Sequence, residues 1–255
     1  MDLNGRVALV TGGATGIGRA TVLHLAKAGA AGVVINYRSS AAEAEKVAHE
    51  ARAMGSEPLC VRADVRSDGQ IRAMMRQIHA RFGRLDVLVN NAGVTHWIPL
   101  ADLESLTDEI WDEILDVDLK GAFRCIRAAA SMLAEHEGMV INVASISGMQ
   151  APATISSLAY GAAKAGLIHM TRLLAVALAP RVRVNAVSPA FTDTKWLADH
   201  FGDAYEQAKT RAASHYPLRR VGTPDDIAGA ILGLITGGDF VTGQTLLIDG
   251  GVSLS

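Results

Sequence analysis

Seven short apolar runs, each followed by a longer stretch of helical character, constrain this chain more than any other feature. They are "RVALVT" (6–11), "GVVIN" (32–36), "EPLCVRADV" (57–65), "LDVLVNNAG" (85–93), "GMVINVAS" (138–145), "RVRVNAVSP" (181–189) and "QTLLIDGG" (244–251). Apolar residues in succession, without strict alternation, suit a strand buried on both faces. The intervals, such as 41–54 and "DGQIRAMMRQIHARF" at 68–82, suit right-handed helical crossovers between parallel strands. The expected fold is α/β, a doubly wound seven-stranded parallel sheet with helices on both faces. No Pro/Gly-rich linker divides the chain and no repeat is evident, so 1–255 is expected to form a single domain. The longest break in the rhythm, about 191–217, carries Trp196, Phe201 and Tyr205. An insertion beyond the carboxyl end of a strand is where a small substrate lid belongs.

Composition narrows the function. A net charge of -2 with no long basic run argues against wholesale nucleic-acid binding. No uncharged apolar stretch reaches membrane-spanning length, and "MDLNGRVALV" lacks a signal-peptide pattern, so a soluble, cytoplasmic protein without a membrane partner is expected. Cys60 and Cys125 sit in apolar contexts and read as buried thiols. The eight histidines are scattered without metal-ligand spacing, and no metal is expected.

The first run leads into "TGGATGIG", with glycines at 12, 16 and 18 of the stretch Thr11 to Gly18. Such a turn lets the backbone approach a pyrophosphate and aims a helix N-terminus at the anion. Glycines also serve turns for purely steric reasons, but the first strand-to-helix junction of an alternating chain favours a nucleotide. A second motif, "LAYGAAKAG" at 158–166, sets Tyr160 and Lys164 four residues apart, on one helix face. It reads either as a surface pair or as a tyrosine acid whose pKa a neighbouring cation lowers.

The glycine pattern, "NNAG" at 90–93, Ser145 closing the fifth run and the Tyr-x-x-x-Lys motif come in the order that resembles the short-chain dehydrogenase/reductase family. The resemblance spans essentially the whole chain and looks nearest to 3-oxoacyl-acyl-carrier-protein reductases or glucose dehydrogenases. It implies a Rossmann-like fold and a hydride transfer between a nicotinamide and a carbonyl or secondary alcohol, with a ketone or 3-oxoacyl compound as the small-molecule substrate. A sugar or polyol dehydrogenase, or a non-catalytic nucleotide-sensing protein on the same fold, remain the alternatives. It also implies a homotetramer.

Residue by residue, the resemblance assigns the cofactor turn to Gly12, Thr15, Gly16, Ile17 and Gly18. Tyr37 stands where an acid commonly binds the ribose hydroxyl of NAD, and Arg38, with Ser39 and Ser40, is suited to a 2'-phosphate. NADP(H) is therefore preferred. NAD(H) stays open, because Thr15 stands where some NADP-dependent relatives carry a basic residue. Asp64 is expected at the adenine amino group, or capping the next turn, with Val65 beside the ring. Asn91, Ala92 and Gly93 support the adenine-ribose side. In "SPAFTDT", Pro189 fits the family, Ala190 replaces a glycine, and Thr192 or Thr194 would touch the carboxamide.

The same resemblance makes Tyr160 the general acid or base, Lys164 its electrostatic partner and a holder of the nicotinamide ribose, and Ser145 a hydrogen-bond donor to the substrate oxygen, with Ser147 the nearby alternative. Asp118, in "VDLKG", occupies the place of an asparagine that links the lysine to solvent through water. A carboxylate there would favour the ammonium form and shift the pH optimum, or else Asp118 is only a helix-kink residue. His96, Trp97, Ser147, Met149, Gln150, Ile155 and Trp196 are the candidate pocket residues, suited to a ketone with a hydrophobic body. His96 reads equally well as a surface or packing residue.

Overall fold

In a computed structural model, which describes residues 1–150 and 157–254, the seven runs form seven parallel strands in the spatial order β3-β2-β1-β4-β5-β6-β7. The strands are β1 (Val7–Val10), β2 (Gly32–Tyr37), β3 (Glu57–Arg62), β4 (Val87–Asn90), β5 (Met139–Val143), β6 (Arg183–Pro189) and β7 (Thr245–Ile248). The helices are α1 (Gly16–Lys27), α2 (Ala41–Ala53), α3 (Asp68–Phe82), α4 (Asp108–Leu115), α5 (Ala122–Glu135), α6 (Leu158–Ala177), α7 (Lys195–Phe201), α8 (Tyr205–His215) and α9 (Pro224–Thr236). Several strands stop short of the apolar runs. The tails "ADV" after β3, "NAG" after β4 and "AS" after β5 run past the last ladder pairs, with one further bond from Ala63 N to Tyr37 O (3.0 Å) and one from Ala144 N to Val187 O (2.8 Å).

Why the runs lack alternation is visible in β1. Ala8 and Val10 enter the core beneath α1, α2 and α9, whereas Val7 and Leu9 enter the opposite core beneath α3 and α5. Successive side chains leave a strand on opposite faces, so a sheet covered on both sides needs apolar residues at every position. Burying one such side chain, Ile35 or Leu88 for example, contributes roughly 1.5–3 kcal/mol. Two free cysteines belong to this interior: burial pushes the Cys125 thiol up to about 12, and pushes half-buried Cys60 up to about 11. Among the described residues no helix is long and apolar enough to cross a membrane, and no group of three or more His, Cys, Asp or Glu side chains is placed to hold a metal ion.

The amino-terminal edge of the sheet is fastened by one carboxylate. Asp86, fully buried just before β4, accepts from Arg6 Nη1 at 2.8 Å, Arg84 Nη2 at 2.7 Å, Arg84 Nε at 2.8 Å and Val7 N at 2.9 Å. Burial works against its charge, but the guanidiniums of Arg84 and Arg6 and the Val7 amide outweigh it and hold the carboxyl below the usual range. Asp86→Asn is therefore expected to cost about 2–3 kcal/mol of unfolding free energy, since two guanidiniums lose their counter-charge. Because the folded carboxyl titrates below the unfolded one, Asp86 contributes its full stabilisation above the ordinary carboxylate range and loses it as pH falls through the folded value. Denaturant melts of both proteins should converge towards acid pH.

Candidate active site

β1 and β4 are neighbours, yet their connections leave to opposite sides of the strand order, so a crevice opens at their carboxyl ends. Polar cross-ties hold its floor. Thr11 Oγ1 accepts from the amides of Asn91 (2.9 Å) and Ala92 (3.0 Å), and Asn91 Nδ2 donates back to the carbonyls of Thr11 (3.0 Å) and Gly12 (3.2 Å). The buried Asn36 side chain accepts from Gly12 N at 3.4 Å and donates to Ala63 O at 2.9 Å, which joins β2 and β3 to the same turn. A cleft of about 1360 Å³ lies above this floor, larger than the roughly 300–1,000 Å³ of an ordinary small-molecule site.

The glycine turn has the shape a dinucleotide needs. A Cβ on Gly18 would lie 2.2 Å from the Gly12 carbonyl oxygen, so only glycine lets α1 start this close beneath the turn. Gly12, Thr15, Gly16 and Ile17 line the cleft, while Gly18 packs under it. Thr15 precedes the first residue of α1 in extended conformation, and the helix N-terminus is aimed into the crevice without an acidic residue in its first turn. Farther along the wall come Arg38, Asp64, Val65, Asn91, Ala92 and Gly93. Tyr37 does not reach the cleft; it packs against the core beneath α1 and α2. Ser39 also lies off the cleft wall, at the exposed approach to α2. Asp64 carries an additional engagement: Arg66 chelates it through Nη2 at 2.7 Å and Nε at 3.1 Å, and the Arg66 amide donates to it at 2.9 Å. The α3 cap itself is Ser67, which accepts from Gln70 N.

On the far wall stand Ser145, Tyr160 and Lys164. A chain of buried amides sets α6 against the sheet there. Asn90 Nδ2 donates to Asn142 Oδ1 (2.9 Å), Asn142 Nδ2 to Thr171 Oγ1 (2.9 Å), and Thr171 Oγ1 to Leu167 O (2.8 Å). Ser157 caps α6 by accepting from Tyr160 N, so the tyrosine sits in the first turn and Lys164 one turn on. Lys164 Nζ donates to Val143 O at 3.0 Å and lies 5.3 Å from the centre of the Tyr160 ring. Ser145 Oγ accepts from Ser147 N at 3.1 Å, and its hydroxyl faces the Tyr160 phenol at the cleft wall. The Ser147 side chain lines the cleft as well.

Asp118 does not reach the cleft. It is held beneath it in a π turn, Asp116–Gly121, that widens the coil between α4 and α5. Its Oδ1 pairs with Lys164 Nζ at 2.9 Å and its Oδ2 accepts from Val94 N at 2.9 Å, with both ionic side chains almost wholly buried. The Gly93 backbone runs directly over the pair, since a Cβ there would meet Asp118 Oδ1 at 2.9 Å. Burial pushes the Asp118 carboxyl up, against the pull of Lys164. Burial also opposes the Lys164 charge, but Asp118 and Tyr160 outweigh it and raise the ammonium. Burial raises the Tyr160 phenol; Lys164 lowers it, as the Tyr-x-x-x-Lys spacing suggested, but Asp118 opposes Lys164 and the net direction is upward, with Ser145 lowering it a little.

Aromatic rings shape the mouth. Trp97 and Trp196 have centroids 5.1 Å apart, the His200 ring stacks on Trp97 at 4.0 Å, and Trp196 lies 6.3 Å from Tyr160. Gln150 joins this wall, but Met149 does not, and His96 turns away to bond Glu113 of α4 at 2.9 Å. Ile155 lies outside the described residues. Pro189, Thr192 and Thr194 line the opposite rim; Thr192 Oγ1 donates to Ala190 O at 3.1 Å. Ala190 needs no left-handed backbone: among the described residues only Glu137 and Arg219 are non-glycine with positive φ. The sequence reading missed Asn36, Thr11 and His200, as well as Gln207 and Arg211 of α8 on the cleft wall. A lone buried amide inside "VVINY" was the available signal for Asn36.

A crevice at the switch of a parallel sheet, a glycine cradle, and a phenol beside a buried ammonium define a dinucleotide-type oxidoreductase site. Comparison with known proteins agrees. Residues 12–253 match the family described as enoyl-(acyl carrier protein) reductase. The chain is 43% identical over 251 residues to a protein assigned as ketoacyl reductase 2 of the granaticin polyketide synthase of Streptomyces violaceoruber, covering 97% of this chain and 96% of that one. It is 37% identical over 248 residues to the 3-oxoacyl-(acyl-carrier-protein) reductase of Staphylococcus aureus, covering 96% and 97%. The structure of a short-chain type dehydrogenase/reductase from Mycobacterium marinum matches with a TM-score of 0.90 at 32% identity, over 100% of this chain and 98% of that one. This chain belongs to the short-chain dehydrogenase/reductase family and is an NAD(P)-dependent oxidoreductase acting on carbonyl or alcohol substrates.

Gly18→Ala tests the cradle. Forced contact with the Gly12 carbonyl should weaken dinucleotide binding at least tenfold by titration calorimetry, about 1.4 kcal/mol or more, and lower the melting temperature.

Proposed function

We propose that this protein is an NADP(H)-dependent ketoreductase whose substrate is a ketone, or a 3-oxoacyl thioester, with an apolar body. The observation that carries the reading is the convergence of the Tyr160 phenol and the Ser145 hydroxyl on one wall of an aromatic cleft, with the Lys164 ammonium buried behind them. Two neutral donors aimed at one point suit an oxygen that gains charge as its carbon is reduced.

The nicotinamide, when bound, supplies the hydride for reduction or takes it up in oxidation. Gly12, Gly16, Ile17 and the N-terminus of α1 would hold the pyrophosphate, and Asn91 to Gly93 the adenine-ribose side. Ser145 polarises the substrate carbonyl. The Tyr160 O–H bond breaks as the new alcohol O–H bond forms, and the phenolate left behind regains a proton from solvent. In the reverse direction the phenolate removes the alcohol proton. Lys164, fixed by Val143 O and Asp118, supplies positive charge beside the phenolate. The segment about 191–217, which carries α7 and α8, serves as the lid, with Trp196 and His200 meeting Trp97 across the mouth.

Preference for NADP(H) is supported by Arg38, an exposed guanidinium on the cleft wall, with no carboxylate at Tyr37 to repel a 2'-phosphate. Arg38 also lies close enough to Asp64 to help depress its carboxyl, behind the larger effect of Arg66. We also propose a cytoplasmic homotetramer. β7 at the sheet edge exposes Leu246 and Leu247, and Gly229 and Gly233 leave open space along α9. On another face, Leu173 and Val176 of α6 are exposed.

Turnover of NADPH with a panel of ketones, 3-oxoacyl and enoyl thioesters and sugars tests the function. Tyr160→Phe should lower kcat at least a hundredfold with little change in NADPH binding; full activity in that variant, or turnover of the enoyl thioester alone, would refute the reading. Arg38→Glu should raise the KM for NADPH at least tenfold and leave that for NADH within about threefold. Light scattering on Leu247→Asp should show an assembly smaller than that of the unaltered protein.

A further inference from the structure

Three ionisable groups of this site lie together: Lys164 from α6 and Asp118 from the π turn are almost wholly buried, and Tyr160 of α6 stands half-buried in front of them on the cleft wall. A lysine beside a tyrosine would, by itself, stabilise the phenolate. Here the ammonium has a counter-charge at 2.9 Å, which opposes part of its effect on the phenol. Among the described residues, the charged groups that act on Tyr160 are these two. Among the described residues its other neighbours include Ser145 from the end of β5, Trp196 from α7, and the apolar cluster of Ile110, Trp111, Ile114 and Leu115 from α4. Glu113 of α4 is directed away from it, onto His96 and Arg66.

We propose that Asp118 is a positioning residue that offsets part of the charge of Lys164 at Tyr160 and so moves the pH at which the site passes from proton donor to proton acceptor to the alkaline side. The inference rests on the reading of Tyr160 as the proton-transfer group. Its physical content is a direction. Reduction requires the phenol, so its rate holds until pH rises through the Tyr160 transition and then falls. Oxidation requires the phenolate, so its rate climbs through the same transition. A carboxylate that raises this transition widens the reductive range and delays the oxidative one. The buried position strengthens the effect, because Asp118 is shielded from water yet carries two anchors, Lys164 Nζ and Val94 N, that fix where its charge sits.

Asp118→Asn removes the charge while keeping an oxygen for Val94 N. The phenolate absorbance of Tyr160, isolated from the other three tyrosines by subtracting a Tyr160→Phe partner, can be titrated without cofactor or substrate. The expected result is a transition at least one pH unit lower in Asp118→Asn than in the unaltered protein. The pH profiles of kcat/KM should move with it. The rising limb of the alcohol-oxidation profile should appear at lower pH by the same interval. Asp118→Ser, a second uncharged replacement, should move the transition the same way and covers the case of an Asn variant that folds poorly. An unchanged or raised Tyr160 transition in the folded variants overturns the proposal. The titration needs no turnover, so it reads Asp118 even where Tyr160→Phe keeps activity and the ketoreductase reading itself fails.

Discussion

The seam between β1 and β4 is the constraint on which the rest of the site depends. Two parallel strands lie side by side, but the chain leaves them in opposite directions, and no helix can cover the gap that results. That gap must be kept open against collapse, and its exposed backbone must find partners. Thr11 and Asn91 do both at once: one hydroxyl oxygen receives two amides, and one side-chain amide returns two bonds across the seam. The glycine turn then has a rigid base, and the start of α1 is fixed relative to the Asn91–Gly93 segment opposite. Everything chemical in this molecule is arranged around that opening.

The second organising element is the way charge is buried. Lys164 could not remain an ammonium in a dry wall without help, since removing a cation from water costs several kcal/mol. The structure answers with a carbonyl from β5 and a carboxylate from the π turn. An ordinary α-helical path through Asp116–Gly121 would not have the same bulge, and the six residues of that turn bridge two helices whose outer surfaces are ordinary and amphipathic. Local helical irregularity is thus traded for a fixed electrostatic environment at the reacting oxygen.

The order of strands and helices was legible because a doubly covered parallel sheet writes a simple pattern: apolar at every position, punctuated by helical intervals. The chemical residues were legible for another reason, since Tyr160, Lys164, Ser145 and the glycines sit at spacings that only a few local geometries use. What failed to show was set by distance in the fold. Nothing in "VINYRSS" tells which of its side chains face the cleft; the pleat sends Asn36 to the glycine turn and Tyr37 towards the core, while Arg38 lines the cleft wall. His96 looked like a pocket residue by proximity to β4, but Glu113, seventeen residues on, turned it away. The net effect on Tyr160 likewise depends on burial and on a third group from another helix, neither of which Tyr-x-x-x-Lys contains.

The run of side-chain hydrogen bonds from Asn90 through Asn142 to Thr171 has a consequence for how this family member can change over time. The donors all point one way, from β4 through β5 into α6, and each link is buried. Replacing any one residue by an apolar one strands a neighbour's donor or acceptor away from water, whereas replacing matched partners together removes the need for both. These positions are therefore locked to one another in descent. A lineage leaves this arrangement by concerted substitutions across three secondary-structure elements, or keeps it, and the placement of α6 against the sheet is inherited along with the triplet.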